Sequence, residues 1–248
     1  MKSAQDFMRE IPVLKNSDGI TKARQILRDD QFREAYIIDA KKCLLGYIDI
    51  TDALKVTATK SNVTVEGYIK EASAVHPADP IEAVARTMRK YRTDSAAIVS
   101  PKRHVLGGVL LSDLFPVIIS RNELSGYVSD CMSKAVVTAT PEDTVQNIYT
   151  RIMETGFSAF PVIKKKRLVG VISRRDLISS RAVRSALAGH THKTIADVMK
   201  NDVVTTSPHE TAQAAARLLV THDVSRLPVM EGDTLMGIVD RHDVLASL

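Results

Sequence analysis

The sequence predicts a mixed α/β protein of the α+β type: four copies of one β-α-β-β-α unit, joined as two paired modules. Three observations predict it. A short lead-in tripeptide recurs as Asp6-Phe7-Met8, Gly67-Tyr68-Ile69, Asp130-Cys131-Met132 and Asp197-Val198-Met199. An acid follows after 12, 12, 13 and 13 positions, at Asp18, Asp79, Asp143 and Glu210. A glycine follows each acid after 28, 28, 27 and 27 positions, at Gly46, Gly107, Gly170 and Gly237, which is too regular for four independent coincidences.

Each unit reads the same way in chain order. After the lead-in, an apolar run ending near Pro has strand character. The acid then opens an amphipathic helix: Ile81, Val84, Ala85 and Met88 in the second copy, and Val145, Ile148 and Ile152 in the third, keep helical spacing. Ala96-Ala97-Ile98-Val99, Ala159-Phe160-Pro161-Val162-Ile163 and Leu227-Pro228-Val229-Met230 are apolar runs of strand length. A second such run follows each about four residues later, so the pair reads as a buried hairpin. The third strand begins at the repeated glycine, and the turn before it is basic in three copies: Lys41-Lys42, Lys102-Arg103-His104 and Lys164-Lys165-Lys166-Arg167.

A unit of about 60 residues leaves one apolar sheet face bare, so neighbouring copies are expected to pair. The expected repeats are 1–60, 61–122, 123–188 and 189–248, giving modules 1–122 and 123–248. The break between modules is placed at Ser120 to Ser129, with joining segments at Thr57 to Thr64 and Ala188 to Thr194.

Composition bounds the function. With 248 residues, 44% apolar and 25% charged, the chain can bury an ordinary core. It has no apolar run approaching the roughly 20 residues of a membrane span, and its start lacks the pattern of a secretory signal. A soluble, cytoplasmic protein is expected. Cys43 and Cys131 are far apart and form no CxxC pair, which argues against a disulfide framework or a cysteine zinc site. The net charge of +5 suits an anionic ligand or partner, but much of it falls in the basic turns, where solvated charge is expected anyway. No Trp and only 4% aromatic residues argue against a base-stacking platform, so nucleic acid ranks last among partners.

At Gly170-Val171-Ile172-Ser173-Arg174-Arg175-Asp176 and Ser225-Arg226-Leu227-Pro228-Val229 the pattern resembles the CBS domain family, and the resemblance covers nearly the whole chain. Four copies resemble the layout of the γ subunit of AMP-activated protein kinase and of stand-alone prokaryotic proteins with two CBS pairs. The resemblance implies that each pair packs about a pseudo-twofold axis and forms two clefts for adenosyl ligands. In each cleft an Asp holds the ribose hydroxyls, apolar strand residues hold adenine, and hydroxyls, basic side chains and a helix N-terminus meet phosphates. It implies a regulatory protein that binds AMP, ADP, ATP or S-adenosylmethionine and signals to an effector protein, with a homodimer among the expected partners.

Carried over by position, the first-choice cleft combines Ser173, Arg175 and Asp176 with Ser207, Ala212, Val224, Ser225 and Arg226. Arg226 stands where the kinase γ subunit has a phosphate-binding arginine, and a guanidinium there suits bidentate contact. The opposite cleft combines Asp240, His242 and Asp243 with Thr140, Val145, Phe157, Ser158 and Ala159. Asp240 replaces the usual hydroxyl, which favours a less anionic adenosyl compound or a cation-assisted nucleotide.

The first module carries weaker candidates. Asp113 faces Lys15, Ile20, Phe32, Arg33 and Glu34, with Leu110 in the hydroxyl position; Asp52 faces His76, Ile81, Thr93, Asp94 and Ser95, with Asp49 as a further acid. Two readings of the four Asp residues stand side by side. A carboxylate can accept hydrogen bonds from both ribose hydroxyls, yet Ser-x-x-Asp at a helix start is also a capping box.

The phosphate-loop, dinucleotide and zincin motifs are absent from the sequence. His190 and His192 lie two apart in a Gly-containing linker and read as surface, and no Ser or Cys has a base partner in sequence. The expectation is a non-enzyme with no catalytic cofactor and no metal. The alternative is a ligand-independent scaffold or dimerisation protein that keeps the fold while its Asp residues cap helices.

Overall fold

The computed structural model describes residues 2–27, 32–55, 62–121, 124–179 and 193–248. It divides into two compact units, Met1–Asn122 and Glu123–Leu248. Most of the joining segments Thr57 to Thr64 and Ala188 to Thr194, with His190 and His192, lie outside the described residues.

In the first unit, β1 (Val13–Lys15), α1 (Ile20–Leu27), β2 (Glu34–Ile38), β3 (Leu44–Asp49) and α2 (Ile50–Lys55) form the first repeat. The second repeats the order with β4 (Ala74–Val75), α3 (Ile81–Tyr91), β5 (Ser95–Val99), β6 (Val105–Leu110) and α4 (Leu111–Arg121). Each builds one three-stranded sheet, its first strand parallel to the second and the second antiparallel to the third. Ile81, Val84, Ala85 and Met88 are all fully buried on α3, as their spacing requires. Ile11, Tyr36, Leu44 and Tyr47 of the first repeat pack with Ala97 and Val99 of the second, closing the bare sheet faces on each other.

The second unit contains α5 (Val128–Cys131), α6 (Val145–Thr155), β7 (Ala159–Lys164), β8 (Arg167–Ser173), α7 (Arg174–Ser179), α8 (Ala212–Thr221), β9 (Arg226–Glu231), β10 (Thr234–Asp240) and α9 (Arg241–Val244). Val145, Ile148, Ile152, Phe160, Val162, Ile172 and Leu177 form a core with Ile195, which comes from the next repeat's lead-in. Burying one such side chain contributes about 1.5–3 kcal/mol.

The first strands of repeats three and four shrink to single parallel bridges, Ala139 to Val162 and Thr206 to Val229. The cause is in the neighbouring strand. In the first unit the Tyr36 and Ala97 N–H groups donate to the Pro12 and Ser73 carbonyls at 2.9 and 2.8 Å, making a ladder rung. The matching residues of the second unit are Pro161 and Pro228, which have no N–H to donate.

Two further differences concern boundaries. The four acids do not open the helices, which begin two residues later at Ile20, Ile81, Val145 and Ala212. Asp18, Asp79 and Asp143 instead close the preceding turn, each accepting from the backbone N–H three residues back at 2.8, 2.8 and 2.7 Å. The caps of α6 and α8 are Thr144 and Thr211, which accept from Asn147 and Ala214 N–H, both at 3.1 Å. The expected break at Ser120 to Ser129 is narrower in the structure, because α4 runs through Arg121 with Ile118 and Ile119 buried, and α5 starts at Val128.

The repeated glycine has a mechanical reason. Residues following each lead-in bridge the third strand of the other repeat in the same unit: Arg9 to Gly108, Lys70 to Tyr47, Ser133 to Ile238 and Lys200 to Val171. The lead-in then lies on the glycine. A Cβ at Gly107 would stand 2.8 Å from Met8 Cγ, and one at Gly237 would stand 2.8 Å from Met132 Sδ. Only glycine leaves this space. Among the described residues, no helix is long and apolar enough to cross a membrane.

Candidate functional site

Each third strand leads directly into a helix, and the repeated Asp is that helix's third residue: Asp52, Asp113, Asp176 and Asp243. The residue before the helix is Asp49, Leu110, Ser173 or Asp240. In the second unit both helix starts form reciprocal capping boxes. Ser173 donates to Asp176 Oδ2 from its N–H at 2.8 Å and from its hydroxyl at 2.5 Å, while the Asp176 N–H donates back to Ser173 Oγ at 3.3 Å. The Asp240 N–H donates to Asp243 Oδ2 and the Asp243 N–H to Asp240 Oδ1, both at 2.9 Å.

In the first unit Asp49 Oδ1 accepts from the Asp52 N–H at 3.0 Å, whereas Leu110 has no side-chain acceptor for the Asp113 helix.

The bridges that seat the lead-ins also deliver a cation to three of these acids. Arg9 lies 3.3 Å from Asp113, Lys70 lies 2.5 Å from Asp52, and Lys200 lies 3.8 Å from Asp176. At the fourth position stands Ser133, bridged to Ile238 two residues before Asp240. None of these partners is among the candidates read from the sequence. The signal was present as a column, since Arg9, Lys70 and Lys200 each directly follow a lead-in, but their reach depends on the cross-repeat bridge.

Residues preceding and opening the second strands meet across the two repeats. In the second unit the Arg226 guanidinium donates to Ser158 Oγ, so one member of the first-choice cleft touches one of the opposite cleft. Asp240 is the register partner of Arg226 in the β9–β10 ladder, placing opposite charges on one face.

In the first unit Arg33 pairs with Asp94 at 2.7 Å. Glu34 accepts from the Asp94 N–H at 3.0 Å and from the Ser95 hydroxyl at 2.7 Å. Burial, then the nearby Asp94 charge, pushes the Glu34 carboxyl up to about 7.

Ser207 accepts from the His209 N–H at 3.3 Å, Ala212 is the buried first residue of α8, and Val224 and Ser225 are half-buried ahead of β9. The Thr140 N–H donates to Asp143, Val145 is buried at the start of α6, and Ala159 is buried at the start of β7. Phe157 is exposed and meets Phe160 edge-on at 6.3 Å. His242 is buried in α9. Arg175 is the second residue of α7, and its side chain lies outside what the structure describes.

In the first unit the backbone N–H groups of Lys15 and His76 hold the turn acids Asp18 and Asp79. Cys131 sits near the Asp240–Asp243 helix: burial, then the Asp243 charge, pushes its thiol up to about 11. Among the described residues, no cluster of three or more His, Cys, Asp or Glu could hold a metal.

Over 274 aligned positions the chain is 26% identical to the uncharacterized protein MJ1225 of Methanocaldococcus jannaschii, covering 99% of this chain and 97% of the relative. The crystal structure of MJ1225, described as a candidate archaeal homologue of g-AMPK, superposes at a TM-score of 0.79 with 20% identity over 99% of both chains. A conserved protein from Pyrococcus horikoshii superposes at 0.69 with 17% identity, again over 99% of both.

These two likenesses show the fold. CBSX2, solved in complex with AMP, aligns with 49% of this chain at 26% identity and a TM-score of 0.43. Residues 128–182 and 195–248 each match the CBS domain, which assigns these two segments to that family.

Proposed function

We propose that the protein is a non-catalytic regulatory module whose second unit binds an adenosyl ligand, AMP, ADP, ATP or S-adenosylmethionine, between its two CBS repeats. One observation carries this reading. Asp176 commits Oδ2 to the Ser173 cap and turns Oδ1 toward the largely exposed Lys200 ammonium 3.8 Å away. Capping and ribose binding are therefore compatible in one carboxylate, because the two oxygens face different partners.

Arg226 supports the same reading. It stands in register with Asp240 and reaches Ser158 of the other repeat, so a phosphate or carboxylate near the pair axis meets a guanidinium as well as the Asp240 charge. Ser173, Arg175, Ser207, Ala212, Val224 and Ser225 complete the proposed first cleft. Thr140, Val145, Phe157, Ser158, Ala159, His242 and Asp243 complete the second. Signalling to an effector protein requires the ligand to prefer one arrangement of the two repeats over another.

The scaffold reading is favoured by the Asp240–Asp243 box, in which both carboxylates serve the helix start. Calorimetric and thermal-shift titration with AMP, ADP, ATP and S-adenosylmethionine separates the two, since a ligand specific to the folded state raises the melting temperature. Stabilisation by one of the four that disappears in Asp176→Ala supports the sensor. No response to any of them leaves the scaffold.

A further inference from the structure

The first unit handles the same positions differently. Lys70 exchanges two backbone hydrogen bonds with Tyr47, at 2.9 and 2.8 Å, which fixes its main chain beside β3. Its ammonium lies 3.0 Å from Asp49 Oδ2 and 2.5 Å from Asp52 Oδ2, and 5.9 Å from the centre of the Tyr47 ring. Asp52 is only 3% exposed. Burial alone would lower the Lys70 pKa, but the hydrogen bond to Asp52 and the charge of Asp49 outweigh it and raise the value.

The neighbouring anion position is reversed as well. Glu34 is the first residue of β2 and the register partner of Asp49, as Arg226 is the first residue of β9 and the register partner of Asp240. A carboxylate therefore stands where the second unit presents a guanidinium. It is engaged by the Asp94 N–H and the Ser95 hydroxyl of the other repeat, which ties the two repeats together.

We infer that Lys70 is a built-in occupant of the Asp49–Asp52 pair, closing the Asp52 cleft to a ribose and confining adenosyl binding to the second unit. The confinement rests on the adenosyl reading of that unit; the occupancy does not. In the Asp52 cleft a ribose would meet an ammonium already seated on the diol acceptor, and in the Asp113 cleft a phosphate would meet Glu34. Lys200 shows the open alternative in the matching position: its side chain is 69% exposed and 3.8 Å from Asp176, whereas that of Lys70 is 41% exposed and in contact with two carboxylates.

Two measurements on the full chain test this. In the first, limiting acetic anhydride labels lysines and mass spectrometry reads the rates. Lys70 is expected to label more slowly than Lys200, and Asp49→Asn/Asp52→Asn is expected to remove that protection. If the double variant does not fold, Asp49→Asn alone takes away one acceptor and should speed Lys70 labelling by itself. Equal labelling of Lys70 and Lys200 in the unaltered chain overturns the inference, whether or not any adenosyl compound binds.

In the second, AMP is titrated calorimetrically into the unaltered chain and into Asp52→Asn. An unchanged number of sites supports confinement, and loss of a site overturns it. If AMP binds neither protein, the adenosyl reading loses its support for AMP, and the occupancy by Lys70 still stands or falls on the labelling rates.

Discussion

Met199 lies directly over Gly170: a Cβ added at Gly170 would stand 2.7 Å from Met199 Sδ and 2.9 Å from the Lys200 carbonyl oxygen. The methionine could swing aside, but the carbonyl is tied by the reciprocal hydrogen bonds between Lys200 and Val171 at 2.9 and 3.0 Å. Gly170→Ala is therefore expected to destabilise the second unit by about 1–3 kcal/mol. Gly67, with nothing within 4 Å of an added Cβ, is the control: Gly67→Ala should be neutral or stabilising by up to about 1 kcal/mol. Urea denaturation of both variants checks the contrast, and equal losses would mean that the lead-in contact does not set the glycine.

That contact also explains which parts of the fold were legible in the sequence. The lead-in and the glycine recur because each repeat presses the first against the second of its neighbour, a constraint strict enough to leave regular spacing. Helix stripes such as Ile81, Val84, Ala85 and Met88 were legible because a buried face admits only apolar residues. The lost first strands of repeats three and four were encoded at Pro161 and Pro228, but their effect depends on which partner strand needs the missing N–H. The pairings of Lys70 with Asp52 and of Arg226 with Ser158 join residues from different repeats, so spacing within one repeat carries no trace of them.

Ser173 and Asp176 hold each other in a reciprocal box, which predicts a measurable contribution of the cap to stability. Ser173→Ala removes the side-chain acceptor for the Asp176 N–H and should cost about 1 kcal/mol. Ser173→Thr keeps the hydroxyl and should recover most of that loss in thermal melts. A cost near zero for Ser173→Ala would show that the α7 start is held by its tertiary contacts rather than by the cap.

Cys131 offers a reporter for the Asp240–Asp243 side of the second unit. Its thiol is pushed up to about 11 by burial and then by the Asp243 charge, so at pH 8 little thiolate is present and alkylation by iodoacetamide should be slow. Asp243→Asn removes the strongest of the charges acting on it and should speed the reaction without changing the fold. An unchanged rate in a folded Asp243→Asn would leave burial, with the Asp130 and Asp240 charges, as the cause.

Glu34 predicts the pH dependence of the first unit. Burial and the facing Asp94 carboxylate raise its pKa to about 7 from an ordinary 4.5, while the Asp94 N–H, the Ser95 hydroxyl and the Arg33 charge favour the ionised form. A raised carboxyl binds its proton more tightly in the folded state than in the unfolded chain. Its contribution is therefore fully present below about pH 4.5 and is lost as pH rises through about 7. Between pH 5 and pH 8 the unaltered chain should lose stability by an amount on the order of 2–3 kcal/mol from this group. Glu34→Gln cannot ionise and should flatten that slope, with its greatest relative gain at pH 8. Urea denaturation at a series of pH values reads both proteins. Parallel pH profiles for the two would show that the dependence arises elsewhere and that Glu34 holds the Asp94 N–H and Ser95 hydroxyl as a carboxylate throughout.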